Sequence, residues 1–202
     1  MVKVEPYLQI HVKEVSPTTI AFTKKTRLWC QLPYPAHRKG CPNSHNKEEC
    51  PPKMGYMDNI LDDYDYFYLV YSVFDFKGYK DEMRELHKDD SRENYWTERM
   101  LGNSLFWQSQ IKKKIRILLE KIYKSNVLNT FYLAFLGSGI PNKSILKVHQ
   151  DVIGSMEAIG IHVFKTFKNN GIDFEVKPMT KVISCTLLCS KLKIKYKKEW
   201  YK

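Results

Sequence analysis

Between Arg27 and Pro52 the chain reads RLWCQLPYPAHRKGCPNSHNKEECPP, and a stretch of this composition cannot fold by burial. It holds three of the five cysteines and two of the six histidines, is rich in proline and is poor in aliphatic residues. The prolines argue against helix or ladder. The ligand-capable residues are Cys30, His37, Cys41, His45 and Cys50, spaced C-x6-H-x3-C-x3-H-x4-C. Thiolates and imidazoles suit zinc in tetrahedral four-coordination, and a bound metal would supply the folding energy that apolar residues do not. The preferred set is Cys30, His37, Cys41 and Cys50, with His45 as alternate ligand or as a group behind the ligands. Three thiolates also suit three irons of a [4Fe–4S] cluster, leaving one iron open. The spacing is neither that of a C-x2-C…H-x3-5-H finger nor that of a zinc deaminase.

The rest of the chain has the means to build a core. Of 202 residues, 43% are hydrophobic, and 13 Tyr, 10 Phe and 4 Trp argue against disorder. Lys and Arg exceed Asp and Glu by 33 − 22 = +11, which favours acidic partners such as nucleic acid or nucleotides, or reflects a merely solvated lysine-rich surface. The opening MVKVEPYLQIHVKEV has no continuous apolar region of a secretory signal, and no run approaches the roughly 18 apolar residues that span a bilayer. The expectation is a cytoplasmic protein with no membrane partner, in which clustered cysteines bind metal rather than form disulfides.

Hydrophobic patterning predicts strands at 2–13 and 19–24. It predicts another at DYFYLVYSVFDF (65–76), which is aromatic and β-branched. Residues 93–125 read as helix with a break at Gly102-Asn103, because Leu105, Ile111, Ile115, Leu118, Leu119 and Ile122 recur at helical spacing. NTFYLAFLGSG (129–139) reads as a buried strand entering a glycine loop. Residues 144–171 read as one or two helices ending on Asn170-Gly171, and 172–176 and 180–190 as strands. The fold class is therefore α/β (or α+β), a mixed sheet with flanking helices and an N-terminal metal-binding Cys/His loop. Residues 1–202 form one main domain, with the loop at 27–52 and a basic C-terminal segment at 177–202.

Two segments carry a family resemblance. CPNSHNKEECPP (41–52) resembles the C-P-N-x6-C-P-P signature of a family of predicted metal-binding proteins of unknown function, widespread in archaea and anaerobic bacteria. SMEAIGIHVFKTFKNNG (155–171) is similar to that family's PSMEAxGIDVFKT segment. The resemblance implies that Cys30, Cys41 and Cys50 are metal or cluster ligands. Relatives carry ferredoxin-like cysteines just before Ser-Met-Glu-Ala. The corresponding LGSGIPNKSILKVHQDVIGSMEA has none, which shifts the expectation toward zinc. His162 stands where relatives show Asp.

Other residues have both a structural and a functional reading. Cys185 and Cys189 sit among apolar neighbours as buried thiols, or complete the metal site from a distance. The FLGSGIPNKS loop is a plain strand-to-helix turn, or aims backbone amides at phosphate. In NYWTERMLGNSLFWQSQIKKK, Trp96, Phe106 and Trp107 are core aromatics of an amphipathic helix, or they stack on bases while Lys112, Lys113 and Lys114 meet phosphates. Glu157 and His162 would do acid–base work if they line a cleft, or, like His149 nearby, are surface or core residues. The leading expectation is a zinc-binding protein that engages nucleic acid or a nucleotide-like anionic ligand. Its rival is a metal-dependent enzyme with an open zinc or iron–sulfur site acting on a nucleobase or other small substrate. Oligomeric state is not legible in the sequence.

Overall fold

The two central strands account for most of the architecture. β2 (Tyr66–Asp75) and β5 (Lys181–Ser190) pair antiparallel over their whole length, from Tyr66 opposite Ser190 to Asp75 opposite Lys181. Both are apolar on both faces, the pattern of a sheet covered on two sides. The structure is a computed structural model and describes residues 2–33, 38–88, 96–126, 132–136, 152–153 and 155–201. β1 (Leu8–Val15) joins the free edge of β2 antiparallel, β3 (Tyr132–Leu136) joins β5 antiparallel, and β4 (Val152–Ile153) lies parallel to β3. The order β1-β2-β5-β3-β4 makes a mixed five-stranded sheet. A single helical turn, α1 (Lys25–Leu28), leads into the cysteine loop.

Alternation along β2 sorts its side chains. Tyr68, Val70 and Phe74 face a layer formed by two helices, α2 (Phe76–Leu86) and α4 (Gln108–Ser125). α4 buries Ile111, Ile115, Leu118, Leu119 and Ile122, the apolar stripe that the spacing predicts except for Leu105, which lies before α4 on an exposed 3-10 turn. The Gly102-Asn103 break is present: α3 (Glu98–Leu101) ends there, a short 3-10 turn spans Ser104–Phe106, and α4 then begins. The starts of α2 and α3 are capped by Asp75, which accepts from the Gly78 amide, and by Thr97, which accepts from the Met100 amide.

On the opposite face, Phe67, Leu69, Cys185, Leu187 and Cys189 pack on Met156, Ile159, Ile161 and Phe167, together with Ile20 and Ile60 from the N-terminal loops. This layer is where the sequence expectation departs most from the fold. Residues 144–151 and 154 of the expected helix lie outside the described residues; of the remainder, 156–160 run as turns and Val163–Asn169 is helical, here called α5. Its end at Asn170-Gly171 is as expected, with the Gly171 amide donating to Lys168 and the Ile172 amide to Phe167. Met156, Ile159 and Ile161 are buried by docking on the sheet rather than by helical periodicity. Residues 172–176 are not strand, 19–24 contribute one bridge (Phe22 to Ile161), and the first strand starts at Leu8 after a 3-10 turn at Glu5–Tyr7. The FLGSGIPNKS loop beyond Leu136, and His149, lie outside the described residues.

The basic segment 177–202 contains β5 and then returns along the body. Ile194 is buried and its amide donates to the Tyr68 hydroxyl, while the Asn126 carboxamide both accepts from and donates to the Lys195 backbone. Among the described residues no helix is long and apolar enough to cross a membrane.

Truncating Ile115, fully buried between α4 and β2, to Ala removes three methyl(ene) groups from a packed layer and is expected to cost about 2–5 kcal/mol. The same change at Leu105, which is 81% exposed, is expected to stay within about 0.5 kcal/mol. Urea denaturation of the two variants checks both values.

Candidate metal centre

Around the cysteines the backbone is a succession of tight turns, as expected of proline-rich chain. The Ser44 amide donates to Cys41, Lys47 to Asn43, Cys50 to Lys47 and Met54 to Cys50. His45 takes a left-handed conformation, with its amide on the Pro51 carbonyl, and the Pro51-Pro52 peptide is cis. The loop closes where the Cys41 amide donates to the Cys30 carbonyl at 2.7 Å. Gly40 makes that approach possible. Its φ is +86°, and a Cβ there would stand 2.5 Å from the Cys30 carbonyl oxygen.

Most side chains of residues 38–52 are exposed, yet Cys41 and Cys50, like Cys30 before them, are half-buried, and none of the three is in a disulfide. The thiols are thus among the inward-facing groups of a loop that is largely exposed, with Gly40, Ser44, Glu49 and Pro51. Burial pushes the Cys30 thiol up, and the neighbouring Cys41 and Cys50 thiols and the Glu157 carboxyl add to the effect. Burial, then Cys41 and Glu49, push Cys50 up. Partly buried thiols whose charged forms are disfavoured are groups a cation would stabilise as thiolates.

The donor chemistry therefore fits a thiophilic or borderline cation. Among the described residues, no three His, Cys, Asp or Glu side chains stand in a chelating arrangement. His37 lies outside the described residues, and His45 is exposed. Cys185 and Cys189 are core residues on the inner face of β5. Both are pushed far up by burial, and the Cys185 sulfur lies 3.6 Å from that of Met156.

The Ser155–His162 segment forms the wall beside Cys30. The Thr23 amide donates to Gly160 and the His162 amide to Ala21, both at 2.7 Å, and the Met57 amide donates to Ile159 at 3.0 Å. The Thr26 hydroxyl lies against the Glu157 carbonyl, and the Trp29 ring meets His162 edge-on at 5.1 Å. At Gly160, φ is +107° and a Cβ would fall 2.3 Å from the Tyr56 ring, so only glycine lets the two segments meet. Burial pushes the Glu157 carboxyl up, and its Oε2 is buried without a hydrogen-bond partner. Phe22, Thr23, Lys25, Trp29, His162 and Lys165 enclose a pocket of about 360 Å³ beside this wall. Sequence reasoning did not find Lys25, Trp29 or Lys165, although Trp29 adjoins Cys30 in the chain.

The aromatic–basic segment is arranged differently from its functional reading. Trp107 is a buried core residue, its ring packed on Phe74 and Phe76 and its indole N–H donating to Gly102. Trp96 stacks on His87 at 3.9 Å and packs on the core. Lys114 pairs with Glu5 at 3.0 Å, Lys113 is exposed, and Lys112 is half-buried at a separate cleft.

In native, metal-free protein Cys185 and Cys189 are expected to resist an aromatic disulfide reagent, while Cys30, Cys41 and Cys50 react. The two remaining thiols should appear only in denaturant, as absorbance released before and after guanidinium would show.

No curated protein and no solved structure matches the chain. A family model described as predicted metal-binding protein (DUF2284) matches residues 13–189, a span that contains all five cysteines and the Ser155–His162 wall. The chain belongs to this family of predicted metal-binding proteins.

Proposed function

We propose that the protein binds zinc through Cys30, Cys41 and Cys50, with His37 or His45 as the fourth donor, and holds a nucleotide-like anion in the adjoining pocket. The observation that carries the second half is the pocket itself. Trp29 and His162 supply ring surface, and Lys25 and Lys165 supply two exposed cations with no ion pair among the described residues. An indole beside two ammonium groups suits a base attached to phosphate. The pocket adjoins Cys30 through Trp29, so metal and ligand would occupy neighbouring ground. Zinc with four protein donors would be structural. With three it would act as a Lewis acid on a bound group.

The enzyme version assigns the three thiolates to an open zinc or [4Fe–4S] centre. It is favoured by one observation, the Glu157 carboxyl within electrostatic reach of Cys30. Extended nucleic acid would have to use Lys113 and the lysines at 191–198, because Trp107 lies in the core.

Metal analysis with a visible spectrum on anaerobically purified protein is expected to give about one zinc per chain and no colour. Cys41→Ser should lose the metal and melt earlier. Full metal content in that variant would remove Cys41 from the site, and iron with acid-labile sulfide would replace zinc by a cluster. At low salt, AMP is expected to bind, and Lys25→Ala with Lys165→Ala to weaken it about tenfold or more, as loss of two charge-assisted contacts should. Unchanged AMP affinity in the double variant would move the ligand elsewhere.

A further inference from the structure

A second cleft, of about 240 Å³, opens on the other side of α5, between α4 and the start of β5. Its walls include Phe164, Phe167 and Val182. Two charged residues of opposite sign line it, Lys112 from α4 and Glu157 from the Ser155–His162 wall. Neither makes an ion pair with the other or with any described residue. Lys112 is half-buried, and burial lowers its affinity for a proton. Glu157 keeps a buried oxygen without a donor.

A half-buried ammonium without an ion pair and a buried carboxyl oxygen without a donor share one small cleft, and a ligand carrying both charges would complete both. We propose that this cleft binds a small zwitterion with an apolar body, a free amino acid with an apolar side chain. Its carboxylate meets Lys112, its ammonium meets Glu157, and its side chain lies on Phe164 and Phe167. The cleft falls below the roughly 300–1,000 Å³ of sites for drug-sized molecules, which restricts the ligand to this size class. The inference does not depend on the metal or on the nucleotide-like ligand.

Calorimetric titration of the full chain, with its metal, would use L-leucine and L-phenylalanine as probes. Isocaproate and isopentylamine each lack one of leucine's two charges. Leucine or phenylalanine is expected to bind at least tenfold more tightly than either single-charge analogue. Lys112→Met keeps the aliphatic stem and should reduce that affinity about tenfold, as should Glu157→Gln, while Lys113→Met leaves it unchanged. Zinc content and AMP affinity of Lys112→Met are expected to match the parent, which separates this site from the metal and its pocket. Absence of binding by both amino acids, equal binding of the single-charge analogues, or undiminished binding in Lys112→Met would overturn the assignment.

Discussion

Two peptide–peptide contacts hold the candidate site together: the Thr23 amide on the Gly160 carbonyl and the His162 amide on that of Ala21, with Phe22 bridged to Ile161 between them. Buried backbone groups must be paired somewhere, and here they pair across a wide sequence separation. This short junction fixes the chain just ahead of Cys30 against the chain that carries Glu157. It also fixes Trp29 against His162. Gly160 is what lets Tyr56 close over the junction.

The sheet explains why the junction is where it is. Because β2 and β5 are apolar on both faces, one face is covered by α2 and α4, and the other needs a second cover. Residues 155–172 and the N-terminal loops provide it, with Met156, Ile159 and Ile161 pressed on Phe67, Leu69 and Leu187. The cysteine loop is thereby hung from a well-packed layer although it has little apolar content of its own. Its anchors are the Arg27 guanidinium on the Met54 carbonyl and the Met57 amide on Ile159.

β2, β5 and α4 were legible in the sequence because each buries a continuous or periodic apolar face, and that periodicity is local. Residues 155–161 were not. Ile153, Met156 and Ile159 recur every three residues, as on a helix, but the latter two are buried by a turn-rich segment docked on a sheet formed elsewhere in the chain. Trp107 shows the same limit. Interleaved aromatics and lysines look alike on a binding surface and on a core-facing helix, and only Phe74 and Phe76 from a distant part of the chain decide between them. The cysteines were visible as a cluster because they are close in sequence. The Lys25, Trp29 and Lys165 pocket was not, since its two halves are joined only by the fold.

The contact of Thr26 with Glu157 spans 131 residues. During synthesis the cysteine loop therefore leaves the ribosome well before its wall does, by on the order of ten seconds at usual elongation rates. For that interval Cys30, Cys41 and Cys50 lack the Ser155–His162 wall. Enclosure of the cysteine loop therefore waits for a segment made more than a hundred residues later.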